Sequence, residues 1–450
     1  MKTILIANRG EIALRVIRTC QKLNIRTVAI YSEADAELPY VKAADSAHLI
    51  GPPPVSQSYL NIAKIIEIAK SEKVDAIHPG YGLLSENSSF VKAVEDAGIA
   101  FIGPDADIIR RMGDKIEARK TMIEAGVPVV PGQESEAADI EAAKMFAKQA
   151  GYPVMLKASS GGGGVGMVMC EDEQALTQHF DSTKKRSEAY FGSGELFIEK
   201  YIANARHIEV QIFGDKDGTV YHLFERNCSM QRRNQKVVEE SPSPALSEEA
   251  RERLISIAVK AAQAVGYKNA GTIELIVDEQ EQAYFLEMNT RLQVEHPATE
   301  MITGVDLVEW QIKTAFGEPL PINGQADIKS SGHAIEYRIY AEDPKTFYPA
   351  PGLINSLVLP EGEGIRVDYG YEAGNKVTPF YDPMVAKLII HADDRQACIK
   401  KSLQAFESFT IEGLKSNIPL FKQILHFEDF AEGHYHTQSL TMMNKGEIKS

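Results

Sequence analysis

Residues 287–297, EMNTRLQVEHP, set Glu287, Asn289, Arg291, Gln293 and Glu295 at every second position. In an extended strand alternate side chains share a face, so the run would line one surface with acid, amide, base, amide, acid. Such a surface makes a poor core. It reads either as the floor of an active site or, taken alone and more simply, as an edge strand dressed in mixed charge. Just upstream, 271–277 and 283–289 are two strand-like runs around a polar turn. A hairpin centred between Gln280 and Glu281 sets Glu274 directly opposite Glu287, with Asn289 on the same face. Opposed carboxylates repel unless a cation lies between them. Two carboxylates and an amide are the hard oxygen ligands that suit Mg2+, which commonly keeps its other positions for water and substrate phosphates. A charged solvent face is the alternative reading of the same pair.

A second chemical signal is KASSGGGGVGM, 157–167, with four successive glycines after a strand. Glycine lets backbone N–H groups close around phosphate oxygens. No Gly-Lys-Ser/Thr follows, so this is not a Walker A loop; a flexible linker is the plainer reading. Lys157 stands just before the loop, and Lys115 sits at another junction of elements. EKYI, 199–202, has the look of a hinge, and CSMQRRNQK, 228–236, gathers three basic residues and two glutamines. HIEVQ puts His207, Glu209 and Gln211 on one strand face.

These residues need a frame. The first hundred positions alternate strands (3–7, 26–32, a strand and loop over 74–82, then 99–104) with helical stretches, including 10–24 and 61–73. That rhythm predicts a parallel sheet covered on both faces. No GxGxxG follows the first strand, so no dinucleotide site is indicated. A helix from Asp114 to Gly126 ends in a proline-flanked boundary near residue 131. Residues 132–203 look like a small inserted α/β module, with a helix closing on Gly151 and strands in VMLKAS and ELFIEKYI. From 204 onward the pattern is antiparallel strands with helices at 247–265 and 394–407, beginning with a hairpin around GDKDG.

The 450 residues leave room for two or three domains and a large core. A net charge of −15 argues against nucleic acid and against an anionic membrane as partners. Cys20, Cys170, Cys228 and Cys398 lie far apart without a CxxC, which suits neither a disulfide framework nor a zinc site and fits the cytoplasm. No apolar run approaches membrane-spanning length, and MKTILIANRG turns polar too soon for a signal peptide.

Together the motifs resemble the biotin carboxylase family of ATP-grasp enzymes. The matches run in order: IANRGEIALRVIR (6–18), AIHPGYGLLSEN (76–87), FIGP, MGDK, KASSGGGGVGM, EKYI, RHIEVQ, CSMQRRNQKVVEE, GTIEL, EMNTRLQVEHPATEMITGVDL and EYRIYAEDP (336–344). The resemblance implies a mixed α/β and α+β chain of ATP-grasp architecture. Its parts are an N-terminal doubly wound domain (1–131), a small lid (132–203) and a C-terminal antiparallel-sheet domain (204–450). It implies phosphorylation of bicarbonate by ATP to carboxyphosphate, then transfer of the carboxyl group to a biotin nitrogen. By motif, Lys115, Lys157, Glu199, Lys200, Ile202, His207 and Gln231 contact ATP, some through backbone groups, under the loop glycines Gly162, Gly163, Gly164 and Gly166. Glu274, Glu287 and Asn289 hold Mg2+ (or Mn2+). Lys236, Arg291, Gln293 and Val294 seat bicarbonate, Val294 by its backbone. Glu295 is the base, Arg338 stabilises the enolate-like biotin, and Tyr81 borders the biotin pocket. Glu336 and Asp343 are the ion-pair partners Arg338 would have in a purely structural role.

Three positions depart from the family pattern. Val165 and Val168 stand where the glycine loop usually carries Arg or Lys, and Asn234 replaces a His found in some members. The lid is therefore expected to bring backbone donors without added charge. No Ala-Met-Lys-Met stretch is present, so biotin is expected on a separate carrier protein, with separate carboxyltransferase subunits. The expected setting is a bacterial-type acetyl-CoA carboxylase; a propionyl-CoA or pyruvate carboxylase is the alternative. A homodimer is expected, with Arg18 and Arg366 at matching interface positions.

Overall fold

The buried apolar run Thr3–Ile6 (β1) is the middle of a five-stranded parallel sheet. Its other strands are Arg26–Ser32 (β2), Ser46–Gly51 (β3), Ala76–His78 (β4) and Ala100–Phe101 (β5), in the order β3-β2-β1-β4-β5. The computed structural model describes residues 1–133, 137–159 and 166–445. Alternation along β1 sends Ile4 and Ile6 against the helix Gly10–Lys22 and Leu5 against the helices Ile62–Ser71 and Ser88–Asp96. Both faces are covered, as the βαβ rhythm predicts. The edge strand β3 is an addition to that reading: only Ile50 in it is fully buried, so it lacks the apolar run that marks the others.

The helix Lys115–Glu124 starts where expected, its Asp114 side chain accepting from the backbone N–H groups of Ile116 and Glu117. Beyond it, Val154–Ala158 (β6), Met167–Cys170 (β7) and Leu196–Lys200 (β8) form a three-stranded antiparallel sheet, order β7-β6-β8. Val154, Leu156 and Ile198 pack there against Leu176 and Phe180 of the helix Glu173–Phe191 and Ala143 and Ala147 of the helix Ile140–Ala150. Val168 faces this small core. The expected loop residues Val165, Gly162, Gly163 and Gly164 lie outside the described residues; Gly166, at its end, has φ +80°.

An eight-stranded antiparallel sheet carries most of the chemistry. Its strands are Arg206–Gly214 (β9), Val220–Arg232 (β10), Gln235–Ser241 (β11), Asn269–Val277 (β12), Ala283–Asn289 (β13) and His333–Tyr340 (β14), joined later by two more. The remaining strands are Gly352–Leu353 (β15), Ser356–Val358 (β16), Ile365–Tyr369 (β17), Lys376–Val377 (β18), Met384–Ala392 (β19) and Thr410–Glu412 (β20). The large sheet has the order β13-β12-β9-β10-β11-β14-β19-β17, and β15 with β18 and β16 with β20 make two small ribbons. On one face Tyr337 packs edge-on to Phe406 and Phe421, 5.0 and 5.3 Å between centroids, in a core built with the helices Arg395–Ser408 and Ile418–His426. Such aromatic pairs each add about 0.5–1.5 kcal/mol beyond burial. Period-two alternation sends Glu336 and Arg338, on either side of Tyr337, to the opposite face.

Two local features set the register. Asn234 is the second residue of a two-residue hairpin in which Arg233 and Asn234 both have positive φ (51° and 64°), with Arg232 paired to Gln235. Asn suits that turn. In the β12–β13 hairpin, Glu274 does pair with Glu287 and Thr272 with Asn289. The turn, however, is centred on Gln280, because Val277 pairs with Ala283. A bulge at Leu286, between the pairs Leu275–Phe285 and Glu274–Glu287, restores the facing glutamates.

Candidate active site

Four residues lie abreast across four strands. Glu287 on β13 faces Glu274 on β12, Glu274 faces Glu209 on β9, and Glu209 faces Arg226 on β10. Three adjacent carboxylates would repel strongly in a dry interior, so cations must be built in. Arg226, fully buried, donates to Glu209 (2.6 Å), Gln211 (2.8 Å), Thr299 (2.8 Å) and Gln293 (2.8 Å). Lys236 on β11 reaches over the row, its Nζ 2.6 Å from Glu209, 2.7 Å from Glu274 and 2.6 Å from Glu295. Burial pulls the Lys236 ammonium down, but Glu209, Glu274 and Glu295 outweigh it and hold its pKa well above the ordinary value.

Glu295 is clamped. Lys236 holds one of its oxygens and Arg338 Nη2 the other, at 2.9 Å. Burial raises its pKa, yet Lys236, Arg338 and Arg226 overcome that and keep the carboxyl well below the usual range. Arg338 in turn donates from Nε to Glu239 at 2.6 Å. The ion-pair partners of Arg338 are thus Glu239 and Glu295; Asp343 pairs with Lys415, and Glu336 makes no hydrogen bond among the described residues.

Residues 290–295 do not extend the strand. β13 ends at Asn289, and a loop leads to the helix His296–Thr303. Alternation therefore fails as the reason these side chains converge. Gln293 still reaches Glu274 (2.9 Å), and Glu295 still reaches Lys236, because the loop folds back over the sheet. Arg291 turns the other way, to Glu86 (2.8 Å) and to the side-chain oxygen of Asn289 (2.9 Å). Arg291 and Glu295 thus share no ion pair, despite their common face in an ideal strand. The Val294 carbonyl accepts from Lys387 Nζ at 2.8 Å, and Lys387 lies 3.2 Å from Glu11 of the first helix. The Tyr81 hydroxyl bonds to the same Glu11 carboxylate, so Tyr81 borders this end of the site.

The residues expected to hold a metal fit one. Among the described residues Glu287 makes no side-chain hydrogen bond or ion pair, and burial together with the facing Glu274 raises its pKa. Glu274 accepts from Lys236, Asn289 (2.9 Å) and Gln293, and His207 Nε2 lies 2.9 Å from its other oxygen. Burial would raise its pKa, but Lys236 and His207 depress it well below normal. A hard cation could take over the neutralising role those donors play, and Glu287 has free oxygens to offer.

The remaining expected nucleotide contacts flank this centre. His207 Nδ1 takes a hydrogen bond from the Gln231 amide at 2.8 Å, which leaves Nε2–H to face Glu274. Lys157 and Glu199 pair between β6 and β8, and Arg119 meets the second Glu199 oxygen at 3.2 Å. Lys115, at the start of its helix, has its pKa lowered by burial despite attraction to Glu287. Lys200 points its ammonium to the Gly151 carbonyl (2.6 Å), so its side chain is committed elsewhere. Ile202 lines a cleft of about 320 Å³ with Tyr201, Glu279 and Tyr284. Arg232 pairs with Glu342 (2.6 Å) and Arg233 sits in the exposed turn, so of the basic cluster at 228–236 Lys236 alone joins the charge row. Arg226, Glu239, Glu86 and Lys387 were not anticipated. For Arg226 a signal existed: a charge at a strand position two residues after Phe224, in a run with no turn around it.

Comparison with known proteins agrees with this layout. Three family models match in succession: "Biotin carboxylase, N-terminal domain" over 1–109, "Carbamoyl-phosphate synthase L chain, ATP binding domain" over 114–323, and "Biotin carboxylase C-terminal domain" over 336–442. The chain is 58% identical over 440 residues to a biotin carboxylase of Halalkalibacterium halodurans, covering 98% of this chain and 97% of that one. It is 48% identical to a pyruvate carboxylase subunit of Methanothermobacter thermautotrophicus, covering 98% and 90%. The biotin carboxylase domain dimer of Hydrogenobacter thermophilus 2-oxoglutarate carboxylase, solved with MgADP, ADP and bicarbonate, superposes with a TM-score of 0.95 at 48% identity, covering 98% of each chain. Full-length similarity of this order, over a sheet that brings the carboxylates, lysine and arginines together, places the chain in the biotin carboxylase family of ATP-grasp enzymes.

Proposed function

We propose that the chain carboxylates biotin borne on a separate carrier protein, using ATP and bicarbonate through carboxyphosphate. We place it as the first half-reaction of acetyl-CoA carboxylase, which supplies malonyl-CoA for fatty acid synthesis. The observation that carries the reading is Glu295 held between Lys236 and Arg338. When bound, MgATP supplies the phosphoryl group and screens its charge. Lys236 and Arg291 offer positive charge to bicarbonate, Gln293 and the Val294 backbone orient it, and Glu295 accepts its proton. A carboxylate this depressed is a weak base. Substrate that draws Lys236 and Arg338 away removes the two charges that depress it, and so restores its basicity where the proton must leave. Arg338 then faces the oxygen of biotin on which negative charge develops.

Glu274, Glu287 and Asn289 would hold Mg2+, and Lys115, Lys157, Glu199, Lys200, Ile202, His207 and Gln231 the nucleotide. Residues 1–131, 132–203 and 204–450 would act as base, lid and site domain. The relative named for pyruvate and the structure named for 2-oxoglutarate support a second reading of the final acceptor, in which this subunit serves another carboxylase. A homodimer is supported by the dimeric relative. Arg366 is engaged within its own chain by Glu300 and Asp368, and Arg18 lies over the Tyr369 ring, so sedimentation at micromolar concentration is the direct test. No described helix is long and apolar enough to cross a membrane; a cytoplasmic location is our proposal.

The function is tested by bicarbonate-dependent ATP cleavage with and without free biotin. Stimulation by bicarbonate and carboxylation of added biotin are expected. ATP cleavage indifferent to bicarbonate would overturn the reading.

A further inference from the structure

Arg338 is held by two carboxylates of different character. Glu295 belongs to the mobile chemistry proposed above. Glu239 does not: it is fully buried on β11, one strand from Arg338, and receives the Nε hydrogen at 2.6 Å. Its other oxygen, Oε2, has no hydrogen-bond partner among the described residues. Directly opposite Glu239 across the β11–β14 ladder is Glu336, also fully buried, with neither oxygen hydrogen-bonded. Opposed residues bring their Cβ atoms within about 4.5–5.5 Å, so two bare carboxylates here would repel at close range.

We propose that Glu239 is a positioning residue for Arg338, and that Glu336 is its neutral, protonated neighbour. Glu239 Oε1 lies 2.6 Å from both Nε and Nη2 of the guanidinium, so this edge keeps the arginine in place while Nη2 exchanges Glu295 for the charged oxygen of biotin. A proton on Glu336 is what lets Glu239 stay ionised beside it. The groups that face this pair are consistent with that division. Burial raises both, Glu239 to about 7 and Glu336 well above the usual carboxylate value. Arg338 and Lys236 lower Glu239, while Glu295 raises it. Lys387 and Arg338 lower Glu336, while Glu239 and Glu295 raise it. Cys228 feels Glu239 from β10 with its thiol driven up, so it stays neutral. Of the facing pair Glu239 and Glu336, one thus carries charge to the arginine and the other is silenced.

The proposal rests on the role assigned to Arg338, and the experiment separates the two. The ratio of free-biotin carboxylation to bicarbonate-dependent ATP cleavage is measured for wild type, Arg338→Ala, Glu239→Gln and Glu336→Gln, with thermal melting for each. Glu239→Gln keeps the shape and an acceptor oxygen but removes the anchoring charge. It is expected to lower the ratio about 10-fold or more through kcat for biotin, the scale at which supporting partners act. Glu336→Gln mimics the protonated acid and is expected to keep the wild-type ratio. An unchanged ratio in Glu239→Gln, or an equal fall in both activities, overturns the positioning role. A ratio lost in Glu336→Gln overturns the neutral assignment. If Arg338→Ala itself leaves the ratio unchanged, the assignment of Arg338 fails, and the proposal with it.

Discussion

The three-stranded sheet β7-β6-β8 and the eight-stranded sheet both carry site residues, but they hold charge in opposite ways. In the large sheet every central cation has several anions or acceptors: Lys236 has three carboxylates, Arg338 two, and Arg226 a carboxylate with four neutral acceptors. In the small sheet, among the described residues, Lys157 pairs with Glu199, which Arg119 also reaches from its helix, and Lys200 has a single carbonyl, over a core of mostly short side chains. A cross-linked network holds its frame while single contacts exchange with substrate. A lightly tied module can move on a few contacts. The difference assigns precision to one sheet and adaptability to the other.

The sharpest way to break that comparison is at Glu295. Glu295→Ala removes a positioned base and should cut bicarbonate-dependent ATP cleavage by about 10²–10⁴, with ATP affinity little changed. Arg338→Ala should spare that activity and cut biotin carboxylation by about 10²–10³. Equal loss in both assays, with a lower melting temperature, would make Arg338 structural. Next comes Arg226→Ala, which leaves the buried Glu209 dependent on Lys236, a cation it already shares with Glu274 and Glu295. It should cost about 3–5 kcal/mol, read as a lower urea midpoint; the same change at Lys157 should cost much less if the small sheet is as lightly tied as its contacts suggest.

The acid limb of stability should also belong to the large sheet. Burial raises Glu240, but Arg395 and His333 outweigh it and bring its pKa down to about 2 from a usual 4.5. A depressed carboxylate contributes stability above its unfolded pKa and loses it as pH falls, here between about 4.5 and 2. The full contribution is on the order of 3 kcal/mol. Glu240→Gln should therefore flatten the difference between urea midpoints at pH 7 and pH 3; an unchanged difference would refute it. Glu287→Gln should raise the Mg2+ needed for half-maximal ATP cleavage about 10-fold or more, and an unchanged Mg2+ dependence would remove Glu287 from the metal site. The smallest effect is kinetic. Amide exchange at 154–158 and 196–200 should slow when ATP is added, while 206–214 and 269–277 stay as they were. Equal exchange in β6 and β8 with and without nucleotide would end the distinction between the sheets.

How much of this was legible follows from how local each feature is. The parallel sheet, the capped helix at Asp114 and the hairpin at 206–227 rest on periodicity and turn chemistry within about twenty residues, and they stand as read; the hairpin at 271–289 stands with its turn displaced. β3 was missed because an edge strand need not be apolar. The proposed site residues rest on motifs, which report identity without geometry. The row from Glu287 to Arg226 depends on β12 pairing with β9 across a 55-residue separation in the register Glu274–Glu209. Nothing in the intervening sequence fixes that register. The same holds for Lys387 meeting Val294, and for Arg291 choosing Glu86 over Glu295. The facing of Glu274 and Glu287 was expected correctly from an incorrect turn, since the bulge at Leu286 supplied the residue the turn did not.

That bulge has a consequence for anyone transplanting or shortening this hairpin. Turn and bulge form a compensated pair: each alone shifts β13 by one residue, and a one-residue shift carries every side chain to the other side of the pleat. Straightening the bulge without removing a residue would set Leu286 against Glu274 and turn Glu287 to the other face, whereas deleting Leu286 would keep Glu287 opposite Glu274 in an unbroken ladder. Length, here, is a heritable trait of the loop and bulge together. A grafted copy of the site keeps its facing glutamates only if it takes turn and bulge together, or the same turn with Leu286 removed.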